Sequence, residues 1–251
     1  MNNFQDYFSK YAGEYAKSKS HKSGEDLATL IRLINPKSDW VVADMASGTG
    51  FTAIEIAPHV SKVFAVDGTD AMLKKAEELA IEKGAKNISF INAMVEQSGL
   101  DSGSCDLVTC RRAAHHFLKK GEFLREAKRI LKESGKLALI DMVRPENDSR
   151  DIRNNMERYR DHSHVDAPSV DQWKELLTKW GFIIDSLTST KELIKFEDFL
   201  SPVKADSREG MECRSYLKRL PSGDLLSADI NPEDFSIIKE RVIFICSPKG
   251  V

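Results

Sequence analysis

Short apolar runs alternate with helix-like stretches five times between Trp40 and Met142, and no other feature restricts the fold so tightly. The runs extend from Trp40 to Met45, Lys62 to Val66, Ile88 to Ile91, Asp106 to Cys110 and Lys136 to Met142, and each reads as a strand. Between them fall helices to about Pro58, from Asp70 to Lys83, and near Gly121 to Leu131. Gly84 makes a good stop for the second, because glycine tolerates the left-handed conformation. Such alternation implies a parallel sheet with helices on both faces. Ahead of it, Leu27, Leu30, Ile31 and Ile34 mark an amphipathic helix stopped by Pro36. Beyond it, Ser169-x-x-Gln172 is a capping box, opening a helix with Val170, Trp173, Leu176, Leu177 and Trp180 on its apolar face. Phe182 to Ser189 and Arg241 to Cys246 read as two further strands. Residues 190–240 are poorly periodic, and pattern alone leaves their structure open.

At 251 residues, 41% hydrophobic and 30% charged, the chain suits one α/β domain with insertions better than two small domains. With 37 basic and 39 acidic side chains it has no basic field, so nothing demands a nucleic-acid partner. No window approaches the ~20 apolar residues of a membrane span. Met1 to Asp6 lacks the basic start and apolar stretch of a secretion signal, so a cytoplasmic protein is expected. Oligomeric state is left open. Cys105, Cys110, Cys213 and Cys246 form no CxxC pair and are expected as reduced thiols in the core. The odd spacing of Cys105 and Cys110 places them on opposite faces of a strand.

Chemistry concentrates after the first strand. Its end, Asp44-Met45-Ala46-Ser47-Gly48-Thr49-Gly50, is a small-residue loop that lets backbone approach a ligand, and the next helix begins there with free N–H groups. Asp67 ends the second strand, where a carboxylate can accept both hydroxyls of a ribose. Gly48 to Ala53 also fits the dinucleotide pattern GxGxxA, which keeps an NAD(P)-dependent oxidoreductase as an alternative. Against it, the glycines come late after the strand, and Asp44 would suit an ammonium group better than a pyrophosphate. No Tyr-x-x-x-Lys or comparable hydride-transfer group is visible.

Val42 to Gly50 resembles the first motif of class I S-adenosylmethionine-dependent methyltransferases, V-L-D-x-G-x-G-T-G. Val66-Asp67-Gly68-Thr69-Asp70-Ala71-Met72-Leu73 is similar to their second, V-D-x-S-x-x-M-L, and Glu96 with Ser104 to Arg111 to their third region. Ala114-His115-His116-Phe117, Arg160 to Val165, the Trp173 to Phe182 segment and Gly135 to Asp141 resemble a UbiE-related branch that acts on small molecules. The resemblance spans nearly the whole chain. It implies a Rossmann-like α/β fold, with a seven-stranded, mostly parallel sheet in the order 3-2-1-4-5-7-6. It also implies S-adenosyl-L-methionine as cofactor and a small-molecule acceptor whose methylated atom, carbon, nitrogen or oxygen, is unspecified. Asp44, Ala46, Ser47, Gly48 and Gly50 would lie at the methionine part of the cofactor, and Asp67 and Gly68 at the ribose. Met72 would pack on the adenine, Met94 and Val95 would border it, and Arg111 would stand near the methionine end. The sequence departs from the family at Ala46, where glycine is usual, at Met94, where an aspartate often receives the adenine amino group, and at Gly99-Leu100 in place of Pro-Phe. The first two departures motivate a further alternative, a cofactor-binding protein without turnover.

The whole chain is expected as one methyltransferase domain. Residues 1–23 would form a lid, 24–142 the cofactor-binding core, 143–240 the acceptor side and 241–247 the last strand. His116 and His115 follow the fourth strand and are the candidate catalytic bases, since histidine titrates near neutrality. The bland reading is that either one hydrogen-bonds backbone at the next helix start. His162 and His164 lie in the segment expected near the acceptor, and these histidines lack the acidic partners of a zinc site. Tyr11 and Tyr15 share a helix face, fit for a lid or for packing on the sheet edge. Arg150, Arg153, Arg158 and Arg160, interleaved with acids, read as a solvated helical face. Trp173 and Trp180 read as core.

Overall fold

The computed structural model describes residues 3–17, 25–201 and 203–250. All the expected strands form, as β1 (Val41–Met45), β2 (Lys62–Asp67), β3 (Ile88–Asn92), β4 (Cys105–Arg111), β5 (Leu131–Val143), β6 (Phe182–Ile194) and β7 (Ile237–Pro248). They join in one sheet of order β3-β2-β1-β4-β5-β7-β6, in which only β7 runs against its neighbours. The chain leaves β1 for β2 on one side and later returns to β4 on the other. Loops after β1 and β4 therefore diverge, opening a crevice at the carboxyl ends of these strands.

Around the sheet stand α1 (Asn3–Lys17), α2 (Glu25–Ile34), α3 (Phe51–Ile56), α4 (Asp70–Lys83), α5 (Lys120–Ile130), α6 (Ile152–Arg160), α7 (Val170–Lys179), α8 (Phe196–Leu200), α9 (Arg208–Lys218) and α10 (Ser222–Ser227). Alternate strand residues face opposite ways. Thus Val42 joins Leu27, Leu30 and Ile56 in a core on one face, while Ala43 and Met45 join Phe123, Leu124, Trp173 and Leu177 on the other. Ser169 and Gln172 make the reciprocal bonds of the capping box at α7. The stretch that pattern could not resolve is three short helices, α8 to α10, which close a third apolar cluster with Ile152 and Met156 of α6.

Four expectations change. Strands β6 and β7 are longer than their apolar runs, because they pair with each other beyond the sheet, out to Ile194 and Ile237. Cys105 and Cys110 pack in the same core, since the ladder to β5 breaks between Cys105 and Leu107 and with it the strict alternation; all four cysteines are buried free thiols. Trp173 is fully buried but Trp180 only half-buried. Only part of the arginine run is solvated: Arg150 is exposed, but Arg153 is 5% exposed and donates to the carbonyls of Ala228 and Ile238, and Arg160 pairs with buried Glu157. Arg153 is turned inward beside Ile152 and Met156, the α6 residues that cover the third cluster.

Candidate active site

A cavity of about 690 Å³ opens at the crevice, within the range that encloses small-molecule ligands. At one end lies the loop after β1. Ala46, Gly48 and Gly50 all have positive φ, 54°, 55° and 80°, so the chain coils tightly and turns its N–H groups inward. At Gly50 the requirement is double, because a Cβ there would meet the Cβ of Ala76 at 2.9 Å. Asp67 clamps this loop: Oδ2 accepts from the Gly48 N–H at 2.8 Å and Oδ1 from the Thr69 N–H at 2.9 Å. Burial nevertheless raises the Asp67 carboxyl above its ordinary range. Asp44 Oδ1 accepts from the Thr109 hydroxyl at 2.6 Å, while Asp44 Oδ2 and Ser47 Oγ are buried without a partner among the described residues. Burial pushes the Asp44 carboxyl up to about 7, against the Thr109 bond and the charge of Arg111.

At the other end the chain leaves β4 through a 3₁₀ turn, Ala114–His116. Asp141 of β5 pins this turn, accepting the His115 backbone N–H at 2.9 Å and lying 2.6 Å from His115 Nδ1. The His115 carbonyl accepts from the N–H groups of Val165 and Asp166, which lays residues 161–166 across the turn. His116 Nδ1 stands 3.1 Å from both the carbonyl and the hydroxyl of Ser163, and its Nε2 is 4.0 Å from Asp161 Oδ2. The Phe8 ring of α1 meets His116 edge-on at 5.1 Å, and Gln5 of the same helix donates to the Gly68 carbonyl. Helix α1 therefore touches both ends of the cavity. Burial, then the neighbouring His115, push His116 down to about 4, despite Asp161.

Asp44, Ala46, Ser47, Gly48, Asp67, Gly68, Met72, Met94, Val95, Arg111 and His116 all line this one cavity, as do His162 and His164. Gly50 and His115 do not. Gly50 lies behind the loop against α4, and His115 is turned into the protein by Asp141. On α1 the lining residue is Phe8 and not Tyr11; the Tyr15 side chain and residues 1–2 and 18–23 fall outside the described residues. Sequence reasoning missed Asp26. Its carboxylate takes bonds from Arg111 (2.8 and 3.1 Å) and Arg112 (2.8 and 3.0 Å), and although burial works to raise it, these guanidiniums hold it at about 2. In sequence Asp26 passes for an ordinary acid in the first turn of a helix. Among the described residues no group of His, Cys, Asp and Glu has the arrangement of a metal site.

A family model described as a methyltransferase domain matches residues 36–192. The chain belongs to that methyltransferase family. It is 36% identical over 172 residues, 68% of either chain, to the uncharacterized methyltransferase YcgJ of Bacillus subtilis. It is 31% identical over 121 residues, 47% of either chain, to the ubiquinone/menaquinone biosynthesis C-methyltransferase UbiE of Pseudomonas putida. The crystal structure of the BH2331 protein of Bacillus halodurans, assigned to the methyltransferases, superposes with a TM-score of 0.82 at 30% identity, covering 90% of this chain and all of that one. A geranyl diphosphate C-methyltransferase of Streptomyces coelicolor, solved with S-adenosyl-L-homocysteine, shares the fold at a TM-score of 0.63 and 13% identity, over 89% of this chain and 76% of that one. The methyltransferase is thus an enzyme of the Rossmann-like class I fold with S-adenosyl-L-methionine as cofactor. Nothing in these comparisons supports a nicotinamide-dependent oxidoreductase. Among the described residues no helix is long and apolar enough to cross a membrane.

Proposed function

We propose that this methyltransferase methylates a small molecule whose nucleophilic atom carries a proton, and that His116 receives that proton. One observation carries the reading: a single continuous cavity joins the Asp44–Asp67 end to a buried, uncharged His116. The chain's residues fit the cofactor at the first end. Asp67 keeps lone pairs for two ribose hydroxyls after accepting its two backbone N–H groups. Asp44 Oδ2 and Ser47 Oγ, buried without partners among the described residues, would face the ammonium of the methionine part, with Ala46 and Gly48 beside them and Arg111 near its carboxylate. Met72, Met94 and Val95 would border the adenine. When bound, S-adenosyl-L-methionine supplies a methyl group already activated on a positively charged sulfur, so alignment and exclusion of water are the protein's main tasks.

The aromatic and aliphatic side chains of Phe8, Phe117 and Val165 would exclude water at the acceptor end. His116 is a neutral imidazole at neutral pH, with one N–H at Nδ1 toward Ser163 and a lone pair at Nε2 that can take a proton. Once it takes the acceptor's proton, the imidazolium faces the Asp161 carboxylate at 4.0 Å. His115 serves His116 by position, as a ring 4.0 Å away whose place Asp141 sets. In this reading the chain is one methyltransferase domain, with α1 as the lid and residues 143–240 supplying the acceptor side. The test is an assay of S-adenosylhomocysteine release over a panel of small hydroxyl, amino and acidic C–H compounds. At least one should be methylated. Turnover on protein or nucleic acid alone would overturn the proposal.

A further inference from the structure

His164 lines the cavity, yet the proposed proton acceptor is His116, which leaves a second buried imidazole unexplained. Its surroundings determine which nitrogen bears the proton. Asn154, fully buried on α6, offers Oδ1 to the Ala167 N–H and to His164 Nε2, each at 2.8 Å. The Asn154 Nδ2 donates to Asp151 Oδ1 at 2.6 Å and Asp166 Oδ1 at 2.9 Å. Reversing this amide would set its nitrogen against an N–H and its oxygen against two carboxylates, so its orientation is unambiguous. Oδ1 only accepts, and His164 Nε2 must therefore donate. A neutral imidazole has one N–H, which leaves Nδ1 with a bare lone pair.

Burial, then the adjacent His115, push His164 down to about 3, outweighing the carboxylates of Glu157 and Asp161 that favour its charged form. The ring is thus neutral, and among the described residues nothing hydrogen-bonds to Nδ1. Asn154 does not line the cavity, whereas His164 does, and Nδ1 is the nitrogen of that ring left without a protein partner among the described residues. The same argument applies to His116. The Ser163 hydroxyl gives its only hydrogen to Asp161 Oδ1 at 2.5 Å, so it accepts from His116 Nδ1 and leaves Nε2 bare. Two cavity-lining imidazoles therefore each keep one bare ring nitrogen, Nδ1 of His164 and Nε2 of His116.

We infer that His164 is a specificity residue that receives a second donor group of the acceptor at Nδ1, and that Asn154 is the positioning residue that locks it in the Nε2–H form. It rests on the reading that this end of the cavity holds the acceptor. The acceptor class is then a small molecule with two donor hydrogens, on hydroxyl or amino groups. Methylation of a hydroxyl oxygen removes its donor hydrogen, and such a product loses a partner that the substrate had.

The experiment has two arms. Long-range ¹H–¹⁵N spectra of the wild-type protein read the tautomer directly: an Nε2–H form at His164 is expected, and an Nδ1–H form overturns the inference whatever the acceptor is. In the folded Asn154→Ala variant, checked by its melting curve, the His164 signals should move toward a tautomer mixture while S-adenosylhomocysteine affinity is unchanged. The second arm measures binding of catechol against its monomethyl ether, and of 1,2-diaminobenzene against its N,N-dimethyl derivative, with S-adenosylhomocysteine present. The member with both donors should bind about tenfold tighter, the size of one unpaired buried polar group. His164→Asn keeps an oxygen near the Nδ1 position and should retain most of that preference. His164→Gln keeps the contact to Asn154 and should lose it; the reverse order would assign His164 a purely structural role and overturn the inference. Equal binding within both pairs also overturns it. Wild-type protein that binds neither pair refutes the acceptor reading of the cavity and takes the inference with it.

Discussion

The two ends of the cavity are built on different principles. The end proposed for the cofactor comes from one stretch, residues 44–72, with Met94, Val95 and Arg111 added, and its loop backbone is held by one carboxylate. The proposed acceptor end gathers His116 and residues 161–165 from distant parts of the chain, with Ser163 holding the His116 ring, Asn154 of α6 holding His164, and Asp141 of β5 pinning the turn that carries His116. A site made of backbone and a carboxylate clamp binds one invariant ligand. A site made of side chains, each with its proton placed by a neighbour, can be retuned by single substitutions without disturbing the first.

The strongest test of that separation is His116→Ala, which should lower turnover by about 100-fold while changing S-adenosylhomocysteine affinity by less than about twofold. A comparable loss of cofactor affinity would break the comparison. Next in size, Asp67→Ala should weaken cofactor binding at least about tenfold by calorimetry, since hydrogen bonds to a charged group are worth roughly 1.5–3 kcal/mol each. The clamp on Gly48 and Thr69 adds an expectation that the position alone does not suggest. The melting temperature should fall too, and unchanged affinity would mean that the ribose lies elsewhere.

Smaller effects should distinguish the ends by the sign of their pH response. Asp44 titrates higher folded (about 7) than unfolded (3.8), so its contribution to stability is complete below 3.8 and is lost as pH rises toward 7. His116 titrates lower folded (about 4) than unfolded (6.5), so its contribution is present above 6.5 and is lost as pH falls toward 4. Relative to wild type, cofactor-free Asp44→Asn should therefore gain melting temperature as pH rises from 4 to 7, and His116→Gln should gain it as pH falls from 6.5 to 4. Parallel melting curves for either variant and wild type would sink the assignment for that end. The smallest effect is expected for Ala46→Gly. Relief of an alanine at φ 54° is worth about 1 kcal/mol, partly offset by the freer unfolded chain. Destabilisation by more than that would show that the Ala46 methyl makes a contact the loop depends on.

The cofactor end was legible in the sequence because its parts are adjacent: one strand ends in Asp44, the next in Asp67, and the glycines between them need no distant partner to announce a tight turn. The alternation gave a parallel sheet, and the strand order came from the resemblance. The acceptor end was half legible. His116 and His164 were visible as candidates, but only the nearness of His116 to the next helix start favoured it over His115, and the residue that turns His115 away, Asp141, stands on another strand. Asn154 and Asp26 passed as ordinary helix residues, and part of the arginine run was misread, because burial of a polar side chain is set by what packs over it.

From the order of its residues alone, then, the chain determined a parallel sheet, a glycine loop with a carboxylate on either side of it, and the strand ends where a ligand sits. These follow from local periodicity and from chain stereochemistry, which any short window of sequence contains. Only the tertiary structure decided which histidine meets the cavity, which nitrogen of each ring keeps its proton, and that Asp44 and His116 titrate far from their ordinary values. Those properties depend on desolvation and on partners tens of residues away, brought within 3 Å by the packing of α6 and β5 against the β4 turn.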